Sequence, residues 1–330
     1  MTREKSEQRG RSRRLVLATP LLLLAVAAAT VVAALAGPAT PARAAAPASP
    51  AGPMAGLTGG PTAAPSLDLI LVSRRGFRGR AGDWDHVRQV VNWLRYRKPP
   101  SHVVYLLGGS ASRESVRDEA GWGRSLSTRL GVRAAAWVVS SSCQTFVEDA
   151  RVVAALPRDR GVALITVGMS RFNMEHLPSS VSTTAVRTTP PGVWWQHHYD
   201  ARSPLSRAVK RQLVTAWRTD HLVSFNERYP GRLAELETLI QTCLDRGIRP
   251  VLLEMPLDMA AVGDDLDDVL TTYRQGCTDL ATKYGITYLD FLDALGLPSA
   301  DFYDLWHLLP DGRARWQNRL SRELVSRELL

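Results

Sequence analysis

Cysteine is scarce in this chain: Cys143, Cys243 and Cys277 are the only three in 330 residues. No CxxC pair and no HExxH occurs, so neither a disulfide-dense scaffold nor a structural or hydrolytic zinc site is indicated. The glycines at 108 and 109 lack a following Gly-Lys-Ser/Thr, which argues against a loop that cradles phosphate. Lysines are few, and no basic stripe interleaved with aromatic residues is present, so nucleic-acid binding is not expected. Neither a metal nor an organic cofactor is expected. No internal repeat is visible either, which sets aside solenoids and propellers.

What the sequence does have begins with a marked shift in composition. Residues 1 to 14 carry six Lys or Arg against two Glu, and residues 15–36 form an apolar run of Leu, Val, Ala and Thr with one Pro. Ala42-Arg43-Ala44 and Ala44-Ala45-Ala46 follow, both suited to signal peptidase. Residues 1–46 are therefore expected to be a signal peptide or signal anchor, and 47–65 an Ala/Pro/Gly-rich linker. The apolar run reaches the ~20 residues needed to cross a bilayer, so secretion and membrane association through residues 15–36 both remain open. The expected location is extracytoplasmic in either case. Seven basic and two acidic residues of the +9 chain lie in the first 46, which leaves the remainder at a modest +4.

From residue 66 the pattern alternates strand and helix. Short apolar runs at His102 to Leu107, Ala134 to Val139, Val162 to Val167, Pro250 to Glu254 and Ile286 to Phe291 read as strands hidden on both faces. A preceding run, Leu67 to Val72, reads as a further strand. Helical periodicity covers Trp84 to Tyr96, where Val87, Val90, Val91 and Leu94 share a face, then Glu114 to Leu130 and Thr145 to Leu156. Further helices are expected at Leu205 to Tyr229, Arg232 to Arg246, Leu266 to Tyr284 and Asp311 to Leu329. These predict one α/β domain over 66–330, a three-layer α/β/α sandwich around a mostly parallel, roughly five-stranded sheet. Residues 171–204 lack a period, are rich in Ser, Thr and Pro, and read as a lid-like insertion. Cys243 and Cys277 fall on helices flanking the strand at 250, where pairing and simple burial are both open.

Two motifs carry the chemistry. Gly108-Gly109-Ser110 breaks the first sheet strand and opens a helix, and Asp304-Leu-Trp-His307 stands just before the last helix. An acid three residues ahead of a histidine can hold its Nδ1 proton and leave Nε2 to deprotonate a serine hydroxyl. Each motif has an ordinary structural explanation: a glycine turn in one case, an Asp helix cap in the other. Their order and positions at the ends of a βα series resemble the SGNH (GDSL-type) hydrolase family over roughly residues 66 to 330. A GxSxG elbow does not fit, since residue 112 is serine.

The resemblance implies a flavodoxin-like SGNH fold, Ser110 as nucleophile, Asp304 as acid and His307 as base. Gly109 stands where that family has aspartate. It further implies oxyanion donors at the backbone of Ser110, at Cys143 in place of a block glycine, and at Ser170 in place of a block asparagine, with Asn173 as a substitute. On this basis the chain is expected to be a monomeric serine esterase of carboxylesterase or acetylesterase type. Its substrate would be a small-molecule or polysaccharide acyl ester. An envelope acyltransferase, or a non-catalytic binding protein on the same scaffold, are the alternatives. Arg113 and Glu114 read as a solvated pair, His86, His102, His176 and His221 as structural, and His197-His198, beside Trp194-Trp195, as lining a substrate cleft or stabilising a long loop.

Overall fold

The computed structural model describes residues 72–74, 81–96, 99–174, 179–181 and 197–330. The expected signal segment and linker lie outside these, as do 67–71, His176 and much of the insertion, including Trp194 and Trp195. Among the described residues no helix is long and apolar enough to cross a membrane.

Five strands form one parallel sheet: β2 (His102–Leu107), β3 (Ala134–Val138), β4 (Val162–Val167), β6 (Arg249–Glu254) and β7 (Thr287–Leu289), in the order β3-β2-β4-β6-β7. A separate antiparallel ribbon pairs β1 (Val72–Arg74) with β5 (Ser179–Val181). Val72, the end of the run read as an early strand, therefore belongs to that ribbon rather than to the sheet.

Strand alternation sorts the core into two layers. Val103, Tyr105, Leu107, Ala163, Ile165, Val167 and Leu252 face one side, covered by α1 (Ala81–Tyr96), α4 (Phe146–Ala155), α7 (Leu222–Asp245) and α9 (Asp267–Tyr284). Val104, Leu106, Val162, Leu164, Val251 and Leu253 face the other, covered by α3 (Glu119–Leu130) and α10 (Pro310–Ser326). Side chains two apart on a strand share a face, so every central strand must be apolar throughout. The result is a three-layer α/β/α sandwich. On the second face Trp122 Nε1 donates to Ser321 Oγ at 3.1 Å, joining α3 to α10.

Two helix boundaries differ from the sequence reading. The helix expected from Glu114 is instead a single turn, α2 (Ser110–Arg113), and then α3, whose first turn Asp118 caps at Gly121 N. The expected break near Pro230 is absent. α6 (Arg207–Ala216) continues through a π-helical turn, Trp217–His221, into α7, which carries Pro230 inside it. Tertiary packing outweighs the proline there: Phe225 stacks on Tyr229 at 5.4 Å, and Tyr229 and Tyr273 both pack on Phe172. Each such pair contributes about 0.5–1.5 kcal/mol, against the ~3 kcal/mol that a helix-interior proline costs.

The turn after β2 is where this scaffold constrains sequence most tightly. Gly108 has φ of 155°, and an added Cβ would stand 1.9 Å from Thr166 Oγ1 and 2.3 Å from Ser112 Oγ. Gly109 has an extended backbone, and its Cβ would meet only Arg171 Cδ and Met174 Cε at 3.8 Å. Gly109 is therefore a free choice of sequence, while Gly108 is not. Gly108→Ala should lower stability by about 2–4 kcal/mol in chemical denaturation, and Gly109→Ala by less than about 0.5 kcal/mol.

Candidate active site

β2 and β4 lie side by side, and the chain leaves the sheet from them in opposite directions. Their carboxyl ends therefore border the crevice in which open α/β sheets bind ligands. Ser110 begins α2 immediately beyond β2. The turn that holds His307 arrives from the far end of the chain, between the 3₁₀ turn Ser299–Asp301 and α10.

Asp304 organises that turn. Its Oδ1 accepts the backbone N–H groups of Trp306 at 3.0 Å and His307 at 2.9 Å, and its Oδ2 accepts from His307 Nδ1 at 2.7 Å. With Nδ1 protonated, Nε2 is an acceptor, and the Ser110 hydroxyl donates to it at 2.9 Å. Burial alone would raise the Asp304 carboxyl. The hydrogen bonds from the His307 ring and the two backbone amides outweigh it and hold the group below its ordinary value, ionised. Tyr199 stacks obliquely on the imidazole at 4.7 Å and on Tyr303 at 4.5 Å, which limits how the ring can turn. Ser112, the other serine of the turn, contacts Thr166 instead: the two Oγ atoms are 2.6 Å apart, and Thr166 donates onward to Leu107 O.

A cavity of about 250 Å³ opens beside Ser110 and is bordered by Cys143, Ser170, Arg171 and Trp306 as well. Cys143 has φ of 60°, the left-handed region that favours glycine. A residue type unsuited to that conformation thus occupies the position where the family resemblance calls for glycine. Ser170 lies in the short helix α5 (Met169–Phe172) after β4. Asn173 does not border this cavity. Its Oδ1 accepts from Ser224 Oγ at 2.7 Å, and its carbonyl from Arg228 at 2.9 Å, both on α7. Of the expected oxyanion residues, Asn173 is thus the one that does not border the cavity. Cys243 and Cys277 are buried free thiols, not a disulfide.

Buried charges that the sequence reading missed tie the site loops together. Arg171 ion-pairs with Asp149, donates to Gln144 O at 3.0 Å, and stacks on Phe146 at 4.3 Å, linking the Ser170 helix to the Cys143 loop. Arg113 and Glu114 are buried, not solvated. Glu114 accepts from Arg113, from His197 Nδ1 at 3.2 Å and from His198 N at 3.2 Å, with Arg313 close by at 3.6 Å. Burial raises its carboxyl, but these donors lower it further, to about 2. His197 and His198 thereby tie the chain at 197–198 to Glu114. Lys210, fully buried on α6, donates to Asp258 Oδ2 at 2.8 Å, to Ser299 O at 2.8 Å and to Phe302 O at 3.0 Å. It clamps the approach to the Asp304 turn. A lysine within an otherwise surface-like helix segment was the available signal, since so few occur in the chain.

No protein-family profile matches the chain, and no curated protein matches it. Solved structures do. Protein YXIM from Bacillus subtilis is similar at a TM-score of 0.39 and 12% identity, covering 71% of this chain and 58% of its own. A GDSL-like lipase from Bacteroides thetaiotaomicron is similar at 0.36 and 10% identity, covering 72% and 98%. The chain thus spans less than two thirds of the Bacillus protein's length. Likeness at this level carries no residue role from one chain to another.

Removing Lys210 tests the clamp. Lys210→Met leaves the Asp258 carboxylate buried without its cation, and should cost about 3–5 kcal/mol in denaturant unfolding. A loss under about 1 kcal/mol would show that the clamp does not matter.

Proposed function

We propose that the domain is a serine hydrolase of the SGNH type that cleaves an acyl ester. The observation that carries this reading is the continuous hydrogen-bond chain from Ser110 Oγ through both nitrogens of His307 to an ionised Asp304, at 2.9 and 2.7 Å. A binding protein would have no need to hold a serine, an imidazole and a carboxylate in this relation.

On this reading His307 Nε2 takes the Ser110 proton as Oγ attacks the ester carbonyl. The tetrahedral oxyanion collapses, the alcohol leaves with the proton that His307 returns, and an acyl-serine remains. Water then attacks the acyl-serine, giving a proton to His307, which passes it back to Ser110 as the acid departs. Asp304 keeps the imidazole in the required tautomer and stabilises its charge. The oxyanion assignment, to the backbone of Ser110 and Cys143 and the hydroxyl of Ser170, is supported by all three residues bordering one cavity. Residues 1–46 would carry the domain out of the cytoplasm, so the substrate is an extracytoplasmic ester, an O-acetyl group among the candidates.

A fluorophosphonate probe should label the wild-type protein and fail to label Ser110→Ala. Asp304→Asn should retain the fold and lower kcat by about 10⁴ on an activated acetyl ester. Labelling that persists in Ser110→Ala would overturn the nucleophile assignment.

Ser170 supplies a separate test of the oxyanion arrangement. An asparagine amide reaches one bond further than a hydroxyl and donates in a fixed plane. Ser170→Asn should raise kcat and Ser170→Ala lower it, each on the order of tenfold, with KM nearly unchanged. If both variants match wild type, Ser170 is not an oxyanion donor.

A further inference from the structure

The cavity beside Ser110 is also bordered by an acidic residue, Glu254, for which ester cleavage has no use. Glu254 is the last residue of β6, in register with Val167 of β4, and is fully buried. It borders the same cavity as Ser110, as does Tyr273 of α9. Its two oxygens accept hydrogen bonds from Tyr273 and from Tyr288 of β7. Both donors are neutral. Arg274 of α9, whose field acts on Glu254, is ion-paired with Asp290 just past β7, so the two exert opposing fields there. Cys277, one helical turn along α9, is a thiol that burial keeps protonated. Burial accordingly pushes Glu254 up to about 7, despite the two tyrosine bonds and the Arg274 field that work against it.

The wall also carries the apolar and aromatic Met169, Met255, Leu257, Leu292 and Trp306, together with Thr166, Ser170 and Arg171, whose charge is held by Asp149. A buried anion at the edge of an apolar, aromatic-walled space is complementary to an alkylammonium group. Such a cation supplies the missing counter-charge, and its methylene shell suits the wall and the ring faces. At roughly 30 Å³ per water, the space holds about eight water volumes, enough for a short acyl chain. We propose that this end of the cavity is a cation subsite, where Glu254 takes an ammonium group carried on the acyl part of the ester. The assignment of the group to the acyl part rests on the hydrolase reading above.

Two isosteric 4-nitrophenyl esters test it: 4-(trimethylammonio)butanoate, whose charge does not titrate, and neutral 5,5-dimethylhexanoate. The ratio of their kcat/KM values cancels every effect of pH that the two esters share. Wild type should favour the cationic ester at least tenfold at pH 8. That preference should fade toward pH 6 as Glu254 gains its proton. In Glu254→Gln, whose amide can still pair with both tyrosines, the ratio should fall at least tenfold at pH 8 and become independent of pH. Tyr288→Phe removes a donor to the carboxylate, and should move the change in ratio to higher pH.

Binding is measured separately from chemistry, by calorimetric titration of the Ser110→Ala protein with butyltrimethylammonium at pH 8. Saturable binding that disappears in Ser110→Ala/Glu254→Gln supports the subsite, even if neither ester is hydrolysed, in which case only the hydrolase reading fails. No saturable binding, or an ester ratio that Glu254→Gln leaves unchanged, overturns the subsite.

Discussion

One carboxylate holds the site in shape. Asp304 binds the His307 ring through one oxygen and the backbone N–H of the same residue through the other. Side chain and main chain of the histidine are therefore fixed to a single anion, and the imidazole cannot turn without breaking the turn that carries it. Because that anion is buried and satisfied by several donors, it stays ionised and the tautomer stays defined. The alignment of Nε2 with Ser110, and the cavity beside it, depend on this arrangement.

Around it, the loops at the carboxyl end of the sheet are joined by charge rather than by apolar packing. Arg171 with Asp149, Arg313 with Glu114, and Lys210 with Asp258 each span two chain segments far apart in sequence. Loops expose too little apolar surface to hold each other in place. A buried ion pair is a poor source of net stability, but it is costly to break on one side, which makes it directional. The sheet core below supplies the stability, and the ion pairs supply the geometry.

Much of this was legible in the sequence. The strands could be read because burial on two faces favours long apolar runs, and Val162 to Val167, buried at every position, shows it with Thr166 alone polar. The acid–histidine spacing could be read because residues three apart in a tight turn meet whatever lies around them. Glu254, Lys210, Arg171 and Glu114 could not be assigned that way, since a charged residue in a sequence looks the same in solvent as in a buried network. Only their distant partners distinguish the two cases. Glu254 gave a partial signal, a lone acid closing the apolar strand from Val251 to Leu253. Pro230 misled for the opposite reason: its local preference was clear, but an aromatic cluster drawn from α5, α7 and α9 prevailed.

The bond between Ser110 and His307 closes a loop of 197 residues. Between them the chain contributes β3, β4, β6 and β7, and all of these must be stacked in order before the two side chains meet. A contact that spans most of the domain forms late and is entropically demanding. No fragment and no partly assembled intermediate can bring the hydroxyl to its base. Under the proposed hydrolase reading, activity should therefore report on completion of the whole domain, as an all-or-none signal of assembly that spectroscopic measures of helix content would not give.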